Sequence, residues 1–364
     1  MAKFNAISLF TGAGGLDTGF EKAGVNIVAA NEFDKYAASS YKVNHPKVAM
    51  IEGDLEEYTD EIVKYPADMV IGGPPCQGFS IAGKMDYNDP RNKMVWRYLD
   101  VVRSVQPKIF VMENVKALYS LKKWEPIRLE VIRLAHEMGY DVFPVLLNSV
   151  DFGIAQKRER VFFIGFLNRQ VDKESILKRF ELKKKKAKSV RELIAKLGPA
   201  GSENNPKTST AQIVLASNPI LRKTAYAGML FNGAGRPVNL DDAANTLPAS
   251  MGGNKTPIID EKALFDEKSK NFAEEILEMI HKGESISNIE IPSYVRRMTT
   301  KEAAILQTFP EDYKFEGPMS AVYRQIGNAV PVELAQVVAE VVQEEYEEGP
   351  LPKNSGEKEQ VDLF

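Results

Sequence analysis

Short apolar runs recur over the first 166 residues, separated by segments with helical spacing. They predict strands at Ala6–Phe10, Val25–Asn31, Val48–Ile51, Met69–Ile71, Lys108–Met112, Val142–Leu147 and Arg160–Phe166. Such runs alternating with helical patterns imply a mostly parallel sheet with helices on both faces. The last two runs lie too close together for a helical crossover, so they should pair antiparallel. The rhythm fades after Phe166. Residues 167–300 are Lys-rich, then Asn-, Ser- and Gly-rich, and Ala200–Pro206 and Met251–Lys255 read as loops. Helical spacing returns from Val332 to Glu348 through Leu334, Val337, Val338 and Val341, a helix that should pack back onto the sheet. The pattern divides the chain into an α/β domain over 1–168 and a smaller loop-rich domain over 169–312. A returning segment spans 313–348, and an acidic, disordered tail spans 349–364.

Composition narrows the class without choosing a function. The chain has 364 residues, 44% hydrophobic and 27% charged, as in a soluble globular protein. It shows no secretory signal and no apolar stretch that would span a membrane. One cysteine excludes an internal disulfide framework and fits a reducing cytosol. His45, His136 and His281 are scattered and form no metal-ligand pattern. The net charge of −3 conceals an uneven distribution. Residues 169–200 hold 11 Lys/Arg against 4 Asp/Glu, whereas residues 332–364 hold 9 acids against 2 bases. Binding follows the local field, so the basic run is either a phosphate-contacting surface or a solvated face.

The single cysteine, Cys76, lies in Gly72-Gly73-Pro74-Pro75-Cys76-Gln77-Gly78-Phe79-Ser80, just past an expected strand. A stiff proline–glycine loop presents a thiol, which makes Cys76 a candidate nucleophile rather than a small core residue. After the first strand, Gly12-x-Gly14 opens a helix, and Glu32 ends the second strand. That pairing suits a nucleoside cofactor, with the carboxylate on ribose hydroxyls. Asp17 replaces the third glycine of the dinucleotide fingerprint. An acid there opposes a pyrophosphate more than it opposes S-adenosylmethionine. Phe33 is placed for an adenine face and Asp54 for the adenine amine, with core packing and a helix N-cap as the plainer roles. Glu113 follows the fifth strand, and Gln156-Lys157-Arg158-Glu159-Arg160 leads into the seventh. Functional groups gather at the carboxyl ends of parallel strands, so the thiol and Glu113 should share a cleft if their strands are neighbours.

Taken together and in this order, these segments resemble the motifs of the DNA (cytosine-5)-methyltransferases. The resemblance rests on Phe10–Gly15, Asn31-Glu32-Phe33-Asp34, Glu52–Leu55, Pro74–Ser80, Asp89–Asn92, Glu113–Val115, Gln156–Arg160, Arg297 with Thr299, and Gly327–Val330. It implies a Rossmann-like methyltransferase sheet with an antiparallel last strand, and a target-recognition domain. It implies that Cys76 adds to carbon 6 of cytosine, that Glu113 holds the ring at nitrogen 3, and that Arg160 binds the base carbonyl. Arg158 would hold a phosphate or the loop. S-adenosylmethionine would be bound by Phe10, Thr11, Gly12, Gly14, Gly15, Leu16, Glu32, Phe33, Asp54, Leu55, Pro75, Asn328, Ala329 and Val330. The target base would be flipped from double-stranded DNA. Gln77, Ser80, Arg91, Thr246 and Leu247 would contact that DNA, with the basic run on phosphates. The resemblance also implies a monomeric bacterial cytoplasmic enzyme, paired with a restriction endonuclease that acts on the same site without touching it. A nicotinamide oxidoreductase would share the glycine turn but has no use for the Pro-Cys loop. A transfer-RNA methyltransferase would share the Cys, Glu and Arg set, and a silent DNA-binding homologue would not need it.

Overall fold

The computed structural model describes residues 4–75, 93–206 and 209–351. In chain order β1 (Asn5–Leu9), α1 (Gly15–Lys22), β2 (Asn26–Glu32), α2 (Lys35–Asn44), β3 (Ala49–Glu52), α3 (Leu55–Ile62) and β4 (Met69–Gly72) come first. Next are α4 (Lys93–Val105), β5 (Ile109–Val115), α5 (Lys116–Ser120), α6 (Glu125–Glu137), β6 (Tyr140–Asn148), β7 (Gln156–Lys157) and β8 (Glu159–Leu167). The remainder holds α7 (Lys173–Leu182), α8 (Val190–Ile194), β9 (Leu215–Ile220), β10 (Met229–Phe231), β11 (Ala244–Asn245), β12 (Ile258–Asp260), α9 (Glu261–Phe265) and α10 (Phe272–His281). It ends with β13 (Val295–Arg297), α11 (Thr300–Leu306), α12 (Met319–Asn328) and α13 (Val332–Glu348).

Seven strands form one sheet in the order β3-β2-β1-β4-β5-β8-β6. β3 through β5 are parallel, and β8 runs antiparallel between β5 and β6. Each expected strand is present, and the expected antiparallel pair is β6 with β8. The sheet is apolar on both faces because both are covered. Along β5, Ile109 and Val111 face one core with α1, α7 and α13, while Phe110 and Met112 face the other with α3, α4 and α6. Burying such a side chain stabilises the fold by roughly 1.5–3 kcal/mol. Among the described residues no helix is long and apolar enough to cross a membrane.

The returning helix does pack onto the sheet. α13 lies against α1 so closely that a Cβ at Gly19 would sit 2.4 Å from Ala335 Cβ and 2.5 Å from the Val332 carbonyl oxygen. Gly19→Ala is therefore expected to destabilise the fold by about 1–3 kcal/mol, since backbone on α13 must move to accept one methyl. Chemical denaturation checks this: the midpoint should fall with little change in slope.

Part of the basic run has a different role from the one expected, while Lys184, Lys185, Lys186 and Lys188 stay exposed. Ile176 and Phe180 of α7 join the core shared with α1 and α13, so this helix belongs with the sheet and not with the smaller lobe that was expected to begin at residue 169. Arg179 pairs with Glu345 at 3.0 Å and Glu348 at 3.1 Å, and Lys183 with Glu340 at 2.8 Å and Glu344 at 2.6 Å. The acidic helix neutralises the basic one, which withdraws these two side chains from any phosphate. The remaining residues, from α8 to α11, form short elements around two smaller cores, with two-stranded pairings β9–β10 and β12–β13. Thr299 and Glu302 form a capping box that starts α11, and Arg296 ties Glu302 to Glu261.

Candidate active site

The parallel strands β1, β2, β4 and β5 deliver their carboxyl ends to one edge. β8 is antiparallel, so it begins where they end, and Arg160 pairs in register with Val115. That topology brings Arg160 to Glu113. Arg160 Nε donates to Glu113 Oε1 at 2.7 Å, and the two side chains are only 13% and 12% exposed. Burial pushes the Glu113 carboxyl above its ordinary value, and the guanidiniums of Arg160 and Arg158 pull it part of the way back. β4 and β5 are neighbours, with Gly72 opposite Met112. Gly73 leaves room for this carboxylate, since a Cβ on it would lie 2.8 Å from Glu113 Oε2 and push that oxygen aside. Asn114 Nδ2 donates to the Pro74 carbonyl at 3.3 Å and anchors the chain that leads to Cys76. Cys76 itself, with Gln77, Ser80 and Arg91, lies outside the described residues.

The glycine turn and β2 meet on the other side of the edge. Gly12 N–H donates to Glu32 Oε2 and Asp34 N–H to Glu32 Oε1, both at 2.7 Å. Phe33 is 73% exposed, which rules out core packing and leaves an unpaired aromatic face beside Glu32. Asp54 caps α3 through Glu56 N–H and remains half-buried at the end of β3. Asp17 does not face the cleft, as its place in the fingerprint suggested. It is fully buried and accepts hydrogen bonds from Ser8, Thr11 and Tyr41 hydroxyls at 2.7, 3.0 and 2.7 Å. It therefore says nothing about a pyrophosphate. The side chains of Leu16, Leu55 and Val330 are likewise in the core and not at the cleft, so contacts from these positions fall to backbone. Gly15 packs under the Val330 carbonyl, Ala329 and Pro75 are half-buried, Asn328 is exposed, and Phe10 holds a left-handed φ of 54° at the mouth of the turn.

Arg158, expected on a phosphate or loop, is 1% exposed, and its guanidinium is spent on backbone carbonyls. Leu247, expected on DNA, is also 1% exposed and packs in the smaller lobe. Thr246 beside it is exposed, with its hydroxyl donating to the Lys157 carbonyl at 2.7 Å. Sequence reasoning gave Gln307 no role. It donates to the Ile326 carbonyl at 2.7 Å and accepts from Gln156 Nε2 at 2.9 Å, joining the substrate-side strand to α12. Nothing local marks it, because its partner is 151 residues away.

Solved structures share this architecture. A prophage-encoded DNA modification methyltransferase of E. coli superposes with a TM-score of 0.65 at 21% identity, covering 94% of this chain and 99% of the other. The S. pombe Dnmt2 methyltransferase superposes with a TM-score of 0.66 at 19% identity, covering 95% and 100%. At these identities the likeness speaks for the fold alone. Sequence relatives go further. The Type II methyltransferase M.FnuDI of Fusobacterium nucleatum is 34% identical over 344 residues, 93% of this chain and 94% of the relative. M.NgoPII of Neisseria gonorrhoeae, also a Type II methyltransferase, is 33% identical over 346 residues, 94% and 96% of the two chains. The model of the C-5 cytosine-specific DNA methylases matches residues 4–344, through both the Glu113–Arg160 edge and the glycine turn, and the chain belongs to that family.

Proposed function

We propose that the chain transfers a methyl group from S-adenosylmethionine to carbon 5 of cytosine in a specific double-stranded DNA sequence, with Cys76 adding to carbon 6 of a flipped base. The observation that carries this reading is the enclosed Glu113–Arg160 pair, set beside the strand end that leads to Cys76. Carbon 5 of cytosine is a poor nucleophile. Addition of the Cys76 thiolate at carbon 6 makes it reactive. Glu113, with its raised carboxyl, holds a proton at ring nitrogen 3 and accepts from the exocyclic amine. Arg160 donates to the base carbonyl while its Nε keeps Glu113 in place. Once the methyl group has been transferred and the carbon 5 proton lost, Cys76 leaves as the thiolate.

The residues at the glycine turn fit S-adenosylmethionine. Glu32 Oε2 accepts from Gly12 N–H and Oε1 from Asp34 N–H, and the carboxylate keeps lone-pair capacity for a ribose hydroxyl. The exposed Phe33 offers a ring to adenine, and the half-buried Asp54 retains an oxygen for its amine. When bound there, S-adenosylmethionine supplies the electrophilic methyl group. Thr246, with Gln77, Ser80 and Arg91, would contact the DNA, and the smaller lobe would read its sequence. The relatives named as Type II methyltransferases support a modification role. To this we add a bacterial cell, an endonuclease specific for the same site and a monomeric enzyme. Bisulfite sequencing of DNA from cells that express the chain tests the reading. Protection of one cytosine in a fixed context is the expected result. Unprotected DNA, with methyl transfer to transfer RNA instead, would overturn it.

A further inference from the structure

Among the largest fully buried side chains of the described residues, Arg158 alone carries a charge. It stands between β7 and β8, where Lys157 turns outward to Asp242 and Arg158 turns in. Its Nη1 donates to the Leu247 carbonyl at 3.0 Å, and its Nη2 to those of Gly327 at 2.7 Å and Asn328 at 3.3 Å. Its Nε has no partner among the described residues. Leu247 follows the exposed Thr246 in the smaller lobe; Gly327 and Asn328 end α12, where Gly327 packs against Pro248 and Ala249, and the next two residues, Ala329 and Val330, lie against Gly15 of the glycine turn. All three acceptors are neutral. Those carbonyls need donors, since truncating Arg158 would leave them without it, but a neutral donor would serve three neutral acceptors as well, so a buried cation here needs another reason. Gln156 and Gln307 already join the same segments: Gln156 Oε1 accepts from Leu247 N–H at 3.0 Å, and Gln307 Nε2 donates to the Ile326 carbonyl. What Arg158 adds is a positive charge that bears on Glu113 from two residues before Arg160.

We propose that Arg158 is a positioning residue: one guanidinium sets the Glu113–Arg160 pair against both the DNA-facing segment at Leu247 and the cofactor-side turn at Gly327–Asn328. Seating of DNA on one side and of the methyl donor on the other then reaches the reacting carboxyl through the same side chain. This inference rests on the function proposed above. Among the described residues, Arg160 and Arg158 are the charged groups that bear on Glu113, and both draw its proton affinity down. Removing one charge therefore lets Glu113 keep its proton to higher pH.

The test compares Arg158→Lys and Arg158→Met in the full chain. It measures single-turnover methylation of a duplex against pH, and amide exchange at residues 247–251 and 325–329. Arg158→Met is expected to lose roughly 10²-fold in rate, the scale of a slightly misplaced reacting group, with its alkaline limb moved to higher pH. Arg158→Lys keeps the charge and the wild-type limb but loses rate, because one ammonium cannot reproduce the planar fork on three carbonyls. Both variants should exchange faster in both segments. An unmoved limb in Arg158→Met, or equal losses in both variants that track their melting temperatures, would reduce Arg158 to a structural residue and overturn the proposal. If the wild-type chain methylates no cytosine, the functional reading fails. Exchange then decides the positioning role alone: joint acceleration supports it and unchanged exchange refutes it.

Discussion

Cys76→Ser is expected to lose methyl transfer by roughly 10⁴-fold or more, the scale seen when an enzymatic nucleophile is removed. A thiol ionises near pH 8.5, within reach of a positive surround, and its thiolate is a strong, polarizable nucleophile. A serine hydroxyl ionises far above neutral pH, so without an activating base it adds to carbon 6 much more slowly than a thiolate. The structure around the loop's entry should survive the exchange. Asn114 holds Pro74, Gly73 abuts Glu113, and neither contact involves the sulfur. The variant should thus fold, bind duplex DNA and bind S-adenosylmethionine. Transfer of a labelled methyl group reads the loss, and a mobility shift on duplex DNA reads the retained binding. Full activity in the serine variant would remove covalent addition from the mechanism.

The sheet was legible because local pattern decides it. Strands buried on both faces need continuous apolar runs, and β1 through β5 have them. What the pattern could not supply was the position of β8. Its antiparallel pairing with β6 followed from a short connection, but its insertion between β5 and β6 is a long-range outcome. That insertion is what places Arg160 against Glu113. Motif spacing was a weaker guide than strand pattern. Counting glycines put Asp17 at the ligand, whereas the first turn of α1 rotates it beneath the turn, toward Ser8, Thr11 and Tyr41. Position in a motif does not state the direction of a side chain.

Charge sums were legible and their meaning was not. The basic run and the acidic helix were visible as two opposed totals far apart in sequence. Their spacing held the answer. Arg179 of α7 and Lys183, its C-cap, are four residues apart, and Glu340, Glu344 and Glu348 recur at the same interval on α13. Two helices with matched four-residue charge rows can satisfy each other only if they pack side by side, and only the fold determines that. The same limit hid Arg158, expected on a phosphate or the loop, and Leu247, expected on DNA; both instead close the seam between the lobes.

Glu113→Gln is expected to lose about 10²–10⁴-fold in rate, the usual contribution of a placed acid–base group. Glutamine keeps the shape but cannot exchange a proton with ring nitrogen 3. It also leaves the Arg160 guanidinium enclosed without its carboxylate. The pH dependence separates the two effects. Wild-type activity needs the protonated carboxyl, so it should fall as pH rises through the raised Glu113 value, and the residual activity of the glutamine variant should lack that limb. Stability follows the same group. Because the folded carboxyl holds its proton more tightly than the unfolded one, the folded chain binds the extra proton between the two values. The Glu113 contribution is then fully present below the ordinary carboxylate value and is lost as pH rises through the folded one. Melting temperature against pH should show that decline in the wild-type chain and a flatter profile in Glu113→Gln. Parallel profiles would mean that the Arg160 ion pair keeps Glu113 ionised throughout and that the proton at nitrogen 3 comes from elsewhere.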